Sequence, residues 1–177
     1  MANTLQYQVL KDTTEHAMIK LTGYFDGTGG QENDHFRIKA NSLYGAIATN
    51  GYPVANVYGG SANTTLPYYG LAVSRIWYDC ADGAGEVSLF WDADVVKYIM
   101  HMNGNGEYDG MGNWVTITND SAGTANSKGD IGLVTRGMIA NSVYTVIVEL
   151  RKDNAYYQRG QFNDPAAFNY GAYGLKP

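Results

Sequence analysis

The chain has 177 residues, 12 basic and 17 acidic side chains, a net charge of −5 and one cysteine. That acidic balance, with no run of Lys or Arg, argues against direct binding to nucleic-acid phosphates, and a lone Cys80 excludes an internal disulfide framework. Only 16% of residues are charged, against about 25% in an average domain, so the polar surface must come from Gly, Asn, Thr, Ser and the 15 tyrosines.

A chain of this length is expected to form one domain with a core that needs no staples. Met1–Gln6 has neither a basic n-region nor an apolar h-region, and the apolar runs are too short to span a bilayer. The expectation is a protein made in a cytoplasm, with no membrane partner.

Along the chain the dominant period is two, the signature of strands with one buried face. Leu5, Tyr7 and Val9 alternate with polar residues, and after a turn at Asp12–Thr14 the pattern resumes at Ala17, Ile19 and Leu21. Phe36 and Ile38 mark a short third strand. Residues 69–80 read as a long strand rich in β-branched and aromatic side chains. Val87, Leu89 and Trp91 form another, and Trp114, Thr116 and Thr118 one more. Tyr144, Val146, Val148 and Leu150 give the strongest strand of all. Asp-Gly pairs at 26, 82 and 109 mark turns. Ala93–Met102 is the one helix candidate, since Val95, Val96, Ile99 and Met100 have roughly helical spacing, but it reads equally as a strand.

Many short strands separated by Gly-rich turns predict an all-β fold, an antiparallel β-sandwich or a jelly-roll-like arrangement. The domain is expected over residues 1–152. Residues 50–68 form a long loop insertion carrying Tyr52, Val54, Val57 and Tyr58, and a loop of that length usually serves a function or an interface. Residues 119–130 suit an exposed connector.

Chemistry-bearing motifs are sparse. His16, His35 and His101 are scattered with no His-x-x-x-His pair, so no zinc site is expected. Gly-x-Ser-x-Gly is absent. Asp92 and Asp94 read more cheaply as caps of the following segment than as a catalytic carboxylate pair. Asn103–Gly110 alternates oxygen donors in the manner of a calcium loop, but Thr116 occupies the twelfth position and no helix flanks it. A Gly-rich turn is the better reading, and no cofactor or metal is expected. Cys80 reads as a small buried residue without basic neighbours to activate it. The three tryptophans, Trp77, Trp91 and Trp114, sit in strand patterns and read as core.

The last 25 residues, Asp153–Pro177, carry Tyr156, Tyr157, Phe162, Phe168, Tyr170 and Tyr173 among Gly, Asn and Ala, with no regular period. Such rings bury large apolar areas while a tyrosine hydroxyl stays wet. The segment reads as an aromatic C-terminal arm that lies on a neighbouring subunit, the alternative being a tail folded over its own sandwich.

The block order Arg75-Ile76-Trp77-Tyr78, Val87–Ala93, Gly129-Asp130-Ile131-Gly132-Leu133 and Tyr144–Lys152 resembles small β-rich virion structural proteins of tailed bacteriophages, often head-associated. Tyr7–Asp12 followed by His16–Gly23 fits the same pattern. The resemblance implies a noncatalytic structural role in a virion, foremost as a capsid decoration (cement) protein, with a tail or neck component as the alternative. The implied partners are the major capsid protein or further copies of this chain. A carbohydrate-binding module is the competing reading, with a glycan stacked on Tyr52, Tyr58, Tyr68 and Tyr69.

Overall fold

The computed structural model describes residues 4–27, 33–46, 71–80, 85–92, 95–110, 116–119 and 129–152. Ten strands occupy them: β1 (Thr4–Asp12), β2 (His16–Phe25), β3 (Asn33–Ile38), β4 (Leu71–Cys80), β5 (Glu86–Trp91), β6 (Lys97–Met102), β7 (Gly104–Asp109), β8 (Ile117–Thr118), β9 (Ile131–Arg136) and β10 (Ser142–Lys152). One short 3-10 turn, Ala40–Ser42, follows β3.

The strands form two antiparallel sheets. The first runs β1-β2-β10-β4-β7, with β8 also paired to β4, and the second runs β3-β9-β5-β6. Setting β1 and β8 aside, eight strands pair first with last and so inward: β2 with β10, β3 with β9, β4 with β7, β5 with β6. The β10–β4 and β9–β5 pairings then close the two sheets. This is one long antiparallel hairpin rolled on itself, a jelly roll. The all-β sandwich expected from the period of two is present, and the pairing order settles its topology.

Core side chains come from alternate positions on both sheets. Ala17, Ile19 and Leu21 on β2, Val73 and Ile76 on β4, and Tyr144, Val146, Val148 and Leu150 on β10 meet Val87, Leu89 and Trp91 on β5 and Ile131 and Leu133 on β9. Each fully buried aliphatic side chain stabilises the fold by about 1.5–3 kcal/mol. Three cross-strand pairs, Gly23–Tyr144, Gly132–Phe90 and Gly106–Tyr78, set an aromatic ring over a glycine. A β-carbon at Gly23 would stand 2.1 Å from Tyr144 Cζ, and one at Gly132 would stand 2.3 Å from Phe90 Cζ. Only glycine lets those rings lie flat on the neighbouring strand.

One open expectation is resolved and two are corrected. The stretch from Lys97 to Met102, the end of the helix-or-strand candidate, is strand β6. Val87 faces Met102 and Leu89 faces Met100, after which a bulge leaves Ile99 without a counterpart on β5. The bulge places two apolar residues side by side and counterfeits a helical spacing. Asn103–Gly110 is no simple turn, because Gly104–Asp109 pairs residue by residue with Cys80–Arg75 as β7. Its Asn and Glu side chains are those of an edge strand. Asp92 caps no helix: its N–H donates to the Asp130 carbonyl at 2.8 Å, joining the ends of β5 and β9.

Candidate interaction surface

Strand β1 is the first place where burial departs from the sequence pattern. Its register puts Val9 opposite Ile19 and Tyr7 opposite Leu21, so these side chains share the inner face of the first sheet. Ile19 and Leu21 are completely buried, yet Tyr7 and Val9 remain 39% and 45% exposed. The β1 strand overhangs the second sheet, which is narrower. A bulge between Val9 and Lys11 leaves Leu10 without a counterpart on β2, and it is 43% exposed. The segment Thr4–Leu10 holds no charged residue and no proline, the features that usually guard an edge strand against pairing.

At the end of β1 lies a buried ion pair. The Lys152 side chain has no solvent exposure. Its ammonium donates to the Asp12 carboxylate, to the Thr13 carbonyl at 2.7 Å and to the Tyr44 carbonyl at 2.9 Å. The second Asp12 oxygen accepts the Tyr44 N–H at 2.8 Å, and the Lys152 N–H donates to Glu15 at 2.8 Å. Burial pulls the lysine's pKa down, and the Asp12 hydrogen bond and charge oppose the shift. The cluster ties the β1–β2 turn, the segment after the 3-10 turn and the last residue of β10 together. Lys152, the last described residue before the aromatic segment 153–177, is therefore held beside the end of β1. Nothing in the local pattern around Lys152 marks it as a buried cation.

The outer face of the second sheet carries a polar and aromatic cluster. Ser88 and His101 face each other on β5 and β6. His101 Nδ1 lies 2.8 Å from Ser88 Oγ and 2.7 Å from Glu86 Oε1, and the Ser88 hydroxyl also donates to Glu86. These hydrogen bonds, Ser88's first and then His101's, hold the Glu86 carboxyl below its ordinary pKa. A serine, a histidine and a carboxylate are thus together, but one ring nitrogen meets both partners. A relay needs the two nitrogens divided between nucleophile and carboxylate, and Ser88 is buried. The cluster is a cross-strand clasp. Beside it Tyr98 stacks on His101 with centroids 4.6 Å apart, meets Phe90 edge-on, and accepts a 2.7 Å hydrogen bond from Arg136.

The outer face of the first sheet holds another departure. Trp77 is not core: Ile147 opposite it and Glu107 on its other side are partly exposed neighbours. The Arg75 guanidinium lies 5.9 Å from the indole centroid and is held by Asp109 at 2.9 Å. Trp91 is core as expected. Cys80 is buried, and burial first, then the Asp79 charge, raises its thiol pKa to about 11.

The expected interface residues Tyr52, Val54, Val57 and Tyr58, and the arm residues Tyr156, Tyr157, Phe162, Phe168, Tyr170 and Tyr173, lie outside the described residues, as do Tyr68, Tyr69 and Trp114. Among the described residues no group of three or more His, Cys, Asp or Glu side chains is placed to hold a metal ion, and no helix is long and apolar enough to cross a membrane. The chain matches no protein-family model, no curated protein and no solved structure.

Proposed function

We propose that this chain is a noncatalytic structural subunit of a tailed-phage virion, acting as a capsid decoration protein that stabilises a shell through contacts with the major capsid protein or with its own copies. The observation that carries the assembly part of this reading is the uncharged, apolar overhang of β1 next to the fixed root of the aromatic arm. The virion itself rests on the resemblance of the strand blocks. Jelly rolls serve both capsid proteins and lectins, so the fold alone selects neither. A rigid sandwich supplies the body. The arm and the 50–68 loop supply contacts, and repetition over a lattice multiplies a modest single affinity. Whatever binds only the assembled shell stabilises it by linkage. A tail or neck position would use the same surfaces.

Light scattering on the full chain, beside a full-length variant with the six arm aromatics changed to serine, tests this reading. Assembly that disappears with the aromatics supports it. A full chain that stays monomeric at every concentration and has no affinity for phage shells overturns it.

A second reading has an observation of its own. Trp77 stands partly exposed on the outer sheet face beside Arg75 and Asp109, a ring and a polar pair that suit stacking and hydrogen bonding to a sugar. Glycan-array binding by the monomer, lost in Trp77→Ala, would favour a carbohydrate-binding module.

A further inference from the structure

We propose that the exposed inner face and open edge of β1 form the docking site for residues 153–177 of a second copy of this chain. The proposal rests on the assembly reading above and names its receiving surface.

Four observations converge on it. First, the receiving row is apolar: Tyr7, Val9 and Leu10 stay 39%, 45% and 43% exposed, so the described residues leave much of it uncovered. Second, β1 has one strand neighbour, β2, among the described residues, and from Thr4 to Leu10 it bears no charge or proline to repel an added strand. An extended segment can hydrogen-bond to such an edge through its main chain and place alternate side chains over the row.

Third, the arm fits this surface chemically. Its charges, Asp153, Arg159, Asp164 and Lys176, sum to zero, and its six aromatics offer rings for an apolar row flanked by Gln6 and Gln8. Fourth, the geometry of departure suits exchange. The Lys152 cluster fixes the arm's root beside Asp12, about 17 Å along the strand from Tyr7 at ~3.3 Å per residue. Twenty-five residues reach up to about 80 Å when extended, enough to cross to a neighbour and run along its β1. A contact of arm on strand joins two different surfaces. It therefore builds either a closed ring or reciprocal pair, or an open chain of subunits.

Photo-cross-linking in the full-length protein tests the site. Leu10→p-benzoylphenylalanine is prepared with natural isotopes and mixed with unmodified chain labelled with 15N, then irradiated and digested. The expected product is a peptide from the β1 region joined to a 15N-labelled peptide from 153–177, and its loss when Val9→Lys is added. Val9 is already half in solvent, so that variant keeps its fold. A cross-link to the arm of the same chain overturns the proposal, as does a cross-link confined to other regions or none at all. Light scattering on the arm-serine variant separates the two levels. If that variant dissociates while Leu10 captures something else, assembly through the arm stands and β1 as its receiver falls. If the wild-type chain is monomeric and Leu10 captures nothing, both fall.

Discussion

The two sheets of this jelly roll treat their outer faces differently. On the first sheet burial alternates strictly along β2, and β10 follows with inner Tyr144, Val146, Val148 and Leu150 against outer Val143, Thr145, Ile147 and Glu149. On the second sheet β5 is buried at Val87, Ser88, Leu89, Phe90 and Trp91 in succession, and β9 from Ile131 to Thr135. Phe90 and Val134 are buried yet stand apart from the core cluster between the sheets. The first sheet is thus a half-buried surface and the second an inner layer, with Glu86, Tyr98, His101 and Arg136 folded over part of its outer side. Burial in a sandwich depends on what lies above each face, and not on the strand alone.

The largest expected effect comes from the corner that anchors the first sheet. Asp12→Ala leaves the Lys152 ammonium buried with its countercharge gone, and breaking one side of a buried pair costs about 3–5 kcal/mol. Lys152→Met should cost less, because it removes the charge that needs compensation. Chemical denaturation of both variants checks the order; an Asp12→Ala protein as stable as wild type would show that the corner is not under electrostatic control.

Two outward aromatics test the contrast between the faces directly. Phe90→Ala should cost about 3 kcal/mol or more, as a buried phenylalanine does. Trp77→Ala, half-buried on the outer face of the first sheet, should lose less, part of its apolar burial and its contact with Arg75, about 1–2 kcal/mol. Equal losses in thermal melts would mean that the two outer faces are equivalent after all. Gly23→Ala forces the sealed Tyr144 ring to move, and overpacking of that kind costs about 1–3 kcal/mol.

Smaller effects follow from the titrating groups. Glu86 has a lowered folded pKa, so its contribution to stability is present above the unfolded glutamate value of about 4.3 and is lost as pH falls through the folded one. Glu86→Gln should therefore lower stability at neutral pH and flatten the acid limb, the two proteins becoming alike once the pH is below the folded value. Cys80, buried with its thiol raised to about 11, should resist alkylation at pH 8 until the protein unfolds. Rapid native labelling would place it nearer the surface.

Much of the fold was legible in the chain. Alternation marked β1, β2, β5 and β10, Trp91 read correctly as core, and Asp26-Gly27 marked a turn whose glycine adopts a φ of 85°. A bulge at Ile99 blurred the period of β6 and left helix and strand open, and reading failed where pairing created a strand from polar, Gly-rich residues, as in β7. It failed at Trp77 for a different reason. Period two separates the two faces of a strand but does not say which face is covered.

The candidate surface was half legible. The aromatic arm announces itself in composition, whereas Tyr7 and Val9 look like ordinary core residues until the second sheet proves too narrow to cover them. The Ser88–His101–Glu86 clasp joins positions 13 and 15 residues apart whose meeting depends on β5–β6 register. The Lys152–Asp12 pair spans 140 positions and depends on the first and last strands flanking β2.

The sequence by itself determined the all-β class, the inward faces of the central strands and the neutral, aromatic character of the two ends, because these follow from side-chain chemistry and a local period. Only the tertiary structure decided the jelly-roll order, the partly exposed outer face around Trp77, the overhang of β1 and the buried anchor at Lys152. Each of those depends on which strands become neighbours, and hydrogen-bonded pairing between distant segments leaves no mark on the local pattern of either one.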